Sequence, residues 1–280
     1  MLNGLSGINV ELTSRCNKKC WCCGRRKIEK EHPELATWGD MPVEMVKAIA
    51  EQIPRGVFVQ LHWNGEPTLY PDLGKAIGLF GGKGCYTGLD TNGKLLLEKR
   101  GALSNLDTLT ISVIQDDPEG REQLEIVDEY LLQLQAPIPL ITFRLLGDID
   151  QAREMVLNEF KVEFHGVNIA RRVLHSPDGS RDYEKPVTIP ETGVCQEMLH
   201  KLSIDRFGDV SPCVRFDPKG KNVLGNMEEY CFDFPYKTEV KLNSLWESAK
   251  RKSWIQAHLE GRRGDVPLCG ECDYYGIPIS

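Results

Sequence analysis

Residues 8–26, INVELTSRCNKKCWCCGRR, run from a strand-like hexapeptide straight into a loop with four cysteines, Cys16, Cys20, Cys22 and Cys23. Cys16, Cys20 and Cys23 have the spacing C-x3-C-x2-C, whereas Cys22 is adjacent to Cys23. Neighbouring residues of an extended loop project in different directions, so both seldom serve one metal. Thiolates are soft ligands that suit zinc or iron–sulfur clusters. Structural zinc normally takes four protein ligands in two spaced pairs. Three thiolates on a cubane cluster leave one iron open for a small molecule, a vacancy for which a structural site has no use.

Outward from this stretch the sequence alternates. Strands are predicted at INVELT (8–13), VFVQLH (57–62), CYTGLD (85–90), DTLTISV (107–113), PLITFRLL (139–146) and VEFHGVNIA (162–170). Helices are predicted between them at 41–53, 72–80, 94–103, 119–134 and 149–160. In the first helix Val43, Val46, Ile49, Ala50 and Ile53 share a face, with Asp40 as its N-cap and Pro42 in the first turn. Six βα-type units in sequence imply a parallel sheet with right-handed crossovers, either open and twisted or a barrel. No GxGxxG follows the first strand, so a dinucleotide fold lacks local support. In barrels the working residues sit at the C-terminal ends of the strands.

The polar connection at 171–194 reads as a linker or lid. It carries Arg171, Arg172, His175, Asp178, Arg181 and Asp182, which suit a polar or anionic substrate or a solvated linker. Beyond it a β-hairpin is predicted around 198–216 and a helix at 241–259, with Leu242, Leu245, Trp246, Ala249 and Ser253 on one face. The expected organisation is one unit over 1–185 and a smaller one over 186–280.

The chain has 280 residues, 41% hydrophobic, with a formal net charge of −7. That length and apolar content support a sizeable core. The acidic balance argues against general nucleic-acid binding. No apolar run approaches a membrane span and no signal peptide is recognisable, so a cytoplasmic location is expected. Ten cysteines there stay reduced, which favours metal binding over disulfides. Only Cys85 stands isolated.

CNKKCWCC after a first strand resembles the signature of the radical S-adenosylmethionine (SAM) superfamily. The resemblance implies a partial (β/α)6 TIM barrel in which Cys16, Cys20 and Cys23 hold a 4Fe–4S cluster. It implies SAM as co-substrate, chelating the open iron and cleaved to a 5′-deoxyadenosyl radical. WNGEPTL (63–69) resembles the family's GGEP motif, with Asn64 in place of its first glycine. Asn64, Gly65, Glu66 and Pro67 are thereby expected near the SAM amino group. DTNGKLL (90–96) resembles a TNG element, adding Thr91, Asn92 and Gly93. By strand order alone, Ser112 and Arg144 stand where relatives contact the SAM ribose and carboxylate. Cys22 occupies a place beside the adenine, with Trp21 displaced from it. His62, Trp63, His165 and Asn168 face the barrel mouth or serve packing. Taken singly, GEP and TNG are turns, and clustered cysteines a zinc site.

A second set, Cys195, Cys213, Cys269 and Cys272, begins with C-x12-G-x4-C and ends with CGEC. This resembles the SPASM domain in its shortened twitch form, which implies a small α+β unit with a second, auxiliary 4Fe–4S cluster. A zinc ribbon is the alternative. Cys231 is spare: a buried thiol, a substitute ligand or a working thiol.

The arrangement is similar to that of aminocyclitol dehydrogenases. It implies an oxidoreductase in which hydrogen is taken from a small polar substrate, the auxiliary cluster accepts an electron, and a flavodoxin- or ferredoxin-type protein is the reductant. The alternative is peptide or protein modification by oxidation, cross-linking or epimerisation. A non-enzymatic iron–sulfur or zinc protein is the third reading.

Overall fold

The computed structural model describes residues 2–164, 166–172, 194–214, 217–227, 242–270 and 272. The connection at 173–193, with His175, Asp178, Arg181, Asp182 and the expected boundary near 185, lies outside the described residues, as do His165 and Cys231.

The strands are β1 (Gly7–Val10), β2 (Phe58–Gln60), β3 (Tyr86–Thr91), β4 (Thr108–Ile114), β5 (Leu140–Leu146), β6 (Val167–Arg172), β7 (Lys201–Ile204), β8 (Asp209–Ser211) and β9 (Gly225–Asn226). They form one nine-stranded sheet in the order β6-β5-β4-β3-β2-β1-β7-β8-β9. β1 to β6 are parallel and each lies beside its sequence neighbour. A doubly wound sheet reverses its strand order at a switch point, and this one does not. The winding is therefore of barrel type and, among the described residues, open: a partial (β/α)6 barrel. β7 pairs parallel to the free side of β1, and β8 and β9 follow antiparallel.

The helices are α1 (Arg25–Glu31), α2 (Val43–Gln52), α3 (Leu73–Gly82), α4 (Leu96–Lys99), α5 (Gly120–Leu132), α6 (Gln151–Glu163), α7 (Gln196–His200), α8 (Leu242–Trp246) and α9 (Ala249–Leu259). Four differ from expectation: Met198–His200, expected to open the hairpin, is helical in α7, and the strand starts only at Lys201. α1 was not anticipated. The expected helix at 94–103 shrinks to the single turn α4, followed by further turns to Asn105. The expected helix at 241–259 breaks into α8 and α9, because the Ser248 hydroxyl accepts from the Arg251 N–H at 3.2 Å and starts a new helix. Asp40 does not cap α2, where Pro42 holds the N-cap position. Its carboxylate instead takes the Arg15 guanidinium at 2.7 and 2.9 Å.

The main core lies between the sheet and α2, α3, α5 and α6, around Ile8, Val59, Leu89, Ile111, Phe143 and Phe80. Along β4 and β5 buried and part-buried residues alternate strictly over most of each strand. Parallel sheets covered on both faces are apolar throughout. Here one face meets the helices and the other is polar. At the C-terminal end, Arg251 is buried, stacks 3.4 Å over Trp246 and donates to the carbonyls of Met198 (2.8 Å) and Leu199 (3.0 Å). Burial pushes its guanidinium down to about 10. Trp246 donates to Asn3 O at 2.9 Å, which seats α8 against the start of the chain.

Candidate active site

At the C-terminal edge of β1 to β4, four loops meet. The first is the cysteine loop. Cys16, Cys20 and Cys23 are part-buried, while Cys22 is buried and Trp21 is half-exposed. The Trp21 indole donates to Gln115 O at 2.9 Å. Cys16, Cys20 and Cys23 lie within electrostatic reach of one another. Burial, then the neighbouring Cys23, push the Cys20 thiol up to about 12, and burial also raises Cys16. A positively charged cluster core would reverse that opposition to ionisation, so the donor set fits a soft metal cluster. Among the described residues no three His, Cys, Asp or Glu side chains converge on a single ion. Thiolates that each take a different iron of a cubane stand farther apart than ligands of one ion.

The second loop, 62–69, packs directly on the first. Glu66 N–H donates to Arg15 O at 2.8 Å. A Cβ on Gly65 would collide with the Thr13 carbonyl and lie 2.9 Å from Arg15 O, so only glycine fits there. The Glu66 carboxylate is buried and accepts from Thr68 N (3.1 Å), Thr68 Oγ1 (2.6 Å), Thr91 Oγ1 (2.8 Å) and Asn92 N (2.7 Å). Burial raises it despite those donors. Glu66 thus straps the second loop to the third, Thr91–Lys94. There Gly93 takes φ +82°, and Gln123 of α5 donates to Asn92 O (2.5 Å) and Ser112 O (2.8 Å). Pro67 is buried within the strap.

Several anchors were not legible in the sequence. Asn17 Oδ1 accepts from Asn92 Nδ2 at 2.8 Å. Lys18, inside the C-x3-C spacing, forms a buried ion pair with Asp117 of the loop after β4. Arg25 is buried 3.7 Å over Trp38, and donates to Ser14 O and, at 3.3 Å, to Asn64 O. Glu11, also buried, accepts from Asn64 N (3.1 Å) and from Arg206 N (3.2 Å) in the β7–β8 turn. A charged residue inside a strand pattern is the only sequence signal for Glu11. The other anchors pair residues far apart in the chain and leave none.

Ser112 and Arg144 are register partners on β4 and β5. Arg144 reaches across β4 to form an ion pair with Asp90 of β3, a buried residue. Asp90 also accepts from Gln60 Nε2 at 2.7 Å, and His62 Nε2 stands 3.8 Å away.

The second cysteine set is partly gathered. Cys195 precedes α7, receives charge from Cys272, and packs with Cys269 against Met198, Trp254 and Val266. Its N–H donates to His258 Nδ1 at 3.4 Å, and burial raises its thiol. Cys272 N–H donates to Cys269 O at 3.3 Å. Cys213 follows β8, where the buried Asn222 amide donates to its sulfur at 3.7 Å. Cys85 donates to Pro54 O within the main core.

Residues 10–132 match the pattern of the Radical SAM superfamily. The chain is 23% identical over 278 residues to the S-adenosyl-L-methionine-dependent 2-deoxy-scyllo-inosamine dehydrogenase of Niallia circulans, covering 97% of this chain and 94% of that protein. The crystal structure of BtrN in complex with AdoMet and 2-DOIA superposes with a TM-score of 0.60 at 22% identity, covering 96% of this chain and 92% of that one. Streptococcus suis SuiB bound to precursor peptide SuiA superposes with a TM-score of 0.58 at 14% identity, covering 98% of this chain and 70% of that one. Among the described residues no helix is long and apolar enough to cross a membrane.

Proposed function

The chain carries a radical SAM domain over residues 10–132, and from that premise we propose that it oxidises a small polar molecule. The observation that carries this reading is the strapping of the cysteine loop to the GEP and TNG loops through Gly65 and Glu66. Cys16, Cys20 and Cys23 hold a 4Fe–4S cluster. When bound, cluster and SAM supply abstraction of a hydrogen atom from a carbon that ordinary acid–base chemistry does not activate. The chain's own part is to place and shelter them. The four hydrogen bonds of Glu66 occupy its carboxylate, so the backbone of Trp63, Asn64 and Gly65 is what faces the SAM amino group. Thr91, Asn92, Gly93, Ser112 and Cys22, on the loops at the same strand ends, would help to hold SAM.

Cys195, Cys213, Cys269 and Cys272 would hold a second cluster, which would supply an electron acceptor for the oxidation. The packing of Cys195 and Cys269 around Met198 and Trp254, with Cys272 within electrostatic reach of Cys195, supports this, as does the likeness over 97% of the chain to a dehydrogenase. A flavodoxin- or ferredoxin-type protein supplies the reducing electron. The likeness to SuiB is one of fold and does not favour a peptide substrate.

Anaerobic reconstitution, then SAM with dithionite, tests the reading. About eight irons per chain are expected, with release of 5′-deoxyadenosine. Alanine at Cys16, Cys20 or Cys23 should abolish the release and lower iron by about half, whereas Cys22→Ala should keep both. Tightly bound zinc with no iron would overturn the proposal. Cys272→Ala should still cleave SAM but leave substrate oxidation incomplete.

A further inference from the structure

The GEP loop is fastened by a carboxylate that belongs to neither cysteine set. Glu11, the residue after β1, is 3% exposed, and both of its oxygens are taken. Oε1 accepts from Asn64 N at 3.1 Å and Oε2 from Arg206 N at 3.2 Å. The first donor lies in the loop after β2, the second in the β7–β8 turn, 195 positions beyond Glu11. Taking a carboxylate out of water is costly, and these two amides offset the cost here. The sheet itself does not require either bond. The Glu11 N–H already continues the β1–β7 ladder, donating to Ile204 O at 2.9 Å.

What the first bond does follows from the peptide unit. The Trp63–Asn64 bond is trans, so its N–H and C=O point in opposite directions. Holding Asn64 N–H on Glu11 therefore turns Trp63 O away from Glu11. Trp63 O takes no hydrogen bond among the described residues. The next peptide is fixed from the other side, where the buried Arg25 donates to Asn64 O at 3.3 Å. The turn is seated in its own right. Arg206 Nη2 donates to Thr37 O (2.7 Å) and Thr37 Oγ1 (3.1 Å), and the guanidinium stacks 3.7 Å over Phe207. Two residues after Thr37, Gly39 O accepts from Thr13 Oγ1 (3.1 Å) and Ser14 N (2.9 Å), in the stretch on which Gly65 rests. The backbone of Arg206 thus leads to Asn64, and its side chain leads to the seat of Gly65.

We propose that Glu11 and Arg206 are positioning residues for SAM: the β7–β8 turn, acting through Glu11, sets the peptides on either side of Asn64 and with them the affinity for SAM. The proposal rests on the reading above that this loop faces the SAM amino group. It adds to that site a part of the chain outside residues 10–132. The physical ground is donor and acceptor matching. An ammonium group can only donate, so it needs oxygens turned toward it. Trp63 O held away from Glu11 is such an oxygen, whereas an Asn64 N–H released from Glu11 is a donor that would oppose the ammonium. Neither Glu11 nor Arg206 touches a reacting atom, so the effect falls on binding and not on bond cleavage.

The test is calorimetric titration of SAM into the anaerobically reconstituted, oxidised protein, where SAM binds but is not cleaved. Glu11→Gln sets an NH2 against one of the two N–H donors and should weaken SAM about tenfold. Arg206→Ala keeps the backbone N–H but unseats the turn, and should weaken SAM about threefold; Arg206→Lys should recover part of that loss. The double variant should again be about tenfold weaker, not the roughly thirtyfold of independent effects, because both changes act through one link. With dithionite added, the KM for SAM should rise by the same factors, while kcat for 5′-deoxyadenosine release and iron content stay unchanged. A general loosening of the fold would lower kcat and iron as well. Wild-type affinity in folded Glu11→Gln or in Arg206→Ala, a loss carried by kcat, or independent effects in the double variant each overturns the proposal. Arg206→Ala serves where Glu11→Gln does not fold. If the wild type itself binds no SAM, the SAM reading falls and this proposal with it; if wild type and variants bind SAM equally, only this proposal falls.

Discussion

At the scale of single residues, the site is held by side chains that do no chemistry. Gly65 presses its α-carbon onto the backbone of Thr13–Arg15. Gly65→Ala should separate the GEP loop from the cysteine loop, abolish SAM cleavage and lower the thermal midpoint, measurable by calorimetry beside the activity assay. Glu66→Gln turns one acceptor oxygen into a donor that faces Asn92 N–H or the Thr68 and Thr91 groups. A loss of about 1.5–3 kcal/mol is expected in chemical denaturation of the metal-free protein. The cysteine spacing, GEP and TNG were all readable, because each is a local run whose meaning lies in order along the chain. Glu11, Arg25 and the Lys18–Asp117 pair were not, since their partners lie 53, 39 and 99 positions away. Asp90 could have been found. The alternation in DTLTISV and PLITFRLL shows that one face of the sheet is polar, and Asp90 lies on the adjoining strand.

Among the elements, the βα alternation was legible because apolar periodicity changes from two to near four along the chain. Ends were less so. The expected strand at 162–170 begins only at Val167, because the helix before it continues to Glu163 and Gly166 turns the chain at φ +87°. Ser248 was overlooked because apolar periodicity runs through it unbroken. It is nonetheless a good N-cap residue three positions before Arg251, whose N–H it accepts. Ser248→Ala should cost about 1 kcal/mol. Circular dichroism should show less helix on heating, with the iron content of the first site unchanged.

For the molecule as a whole, the β7–β8 turn ties distant stretches of the chain together, its Arg206 N–H donating to Glu11. Asp205 there is raised to about 7, chiefly by burial, then by the charge of Asp209 and, more weakly, of Glu11. Its Oδ1 accepts from Phe207 N and Asp209 N, both at 2.9 Å. The folded carboxyl holds its proton more tightly than the unfolded chain does. The stability this confers is full below about pH 4 and is lost as the pH rises to about 7. Asp205→Asn keeps an acceptor for both N–H groups and cannot ionise. Its thermal midpoint should exceed that of the wild type at pH 8, with the gap closing by pH 5.

β1 is paired on both sides, by β2 and by β7, in unbroken register from Gly7 opposite Lys201 to Val10 opposite Ile204. The second half of the chain is therefore not a bead that can be exchanged between relatives. A chimera that takes its second half from another protein must supply a strand matching β1 in length, direction and face, and a turn whose N–H reaches Glu11. A fragment cut after residue 172 would expose a bare strand edge and the seat of Trp246, a template for self-association.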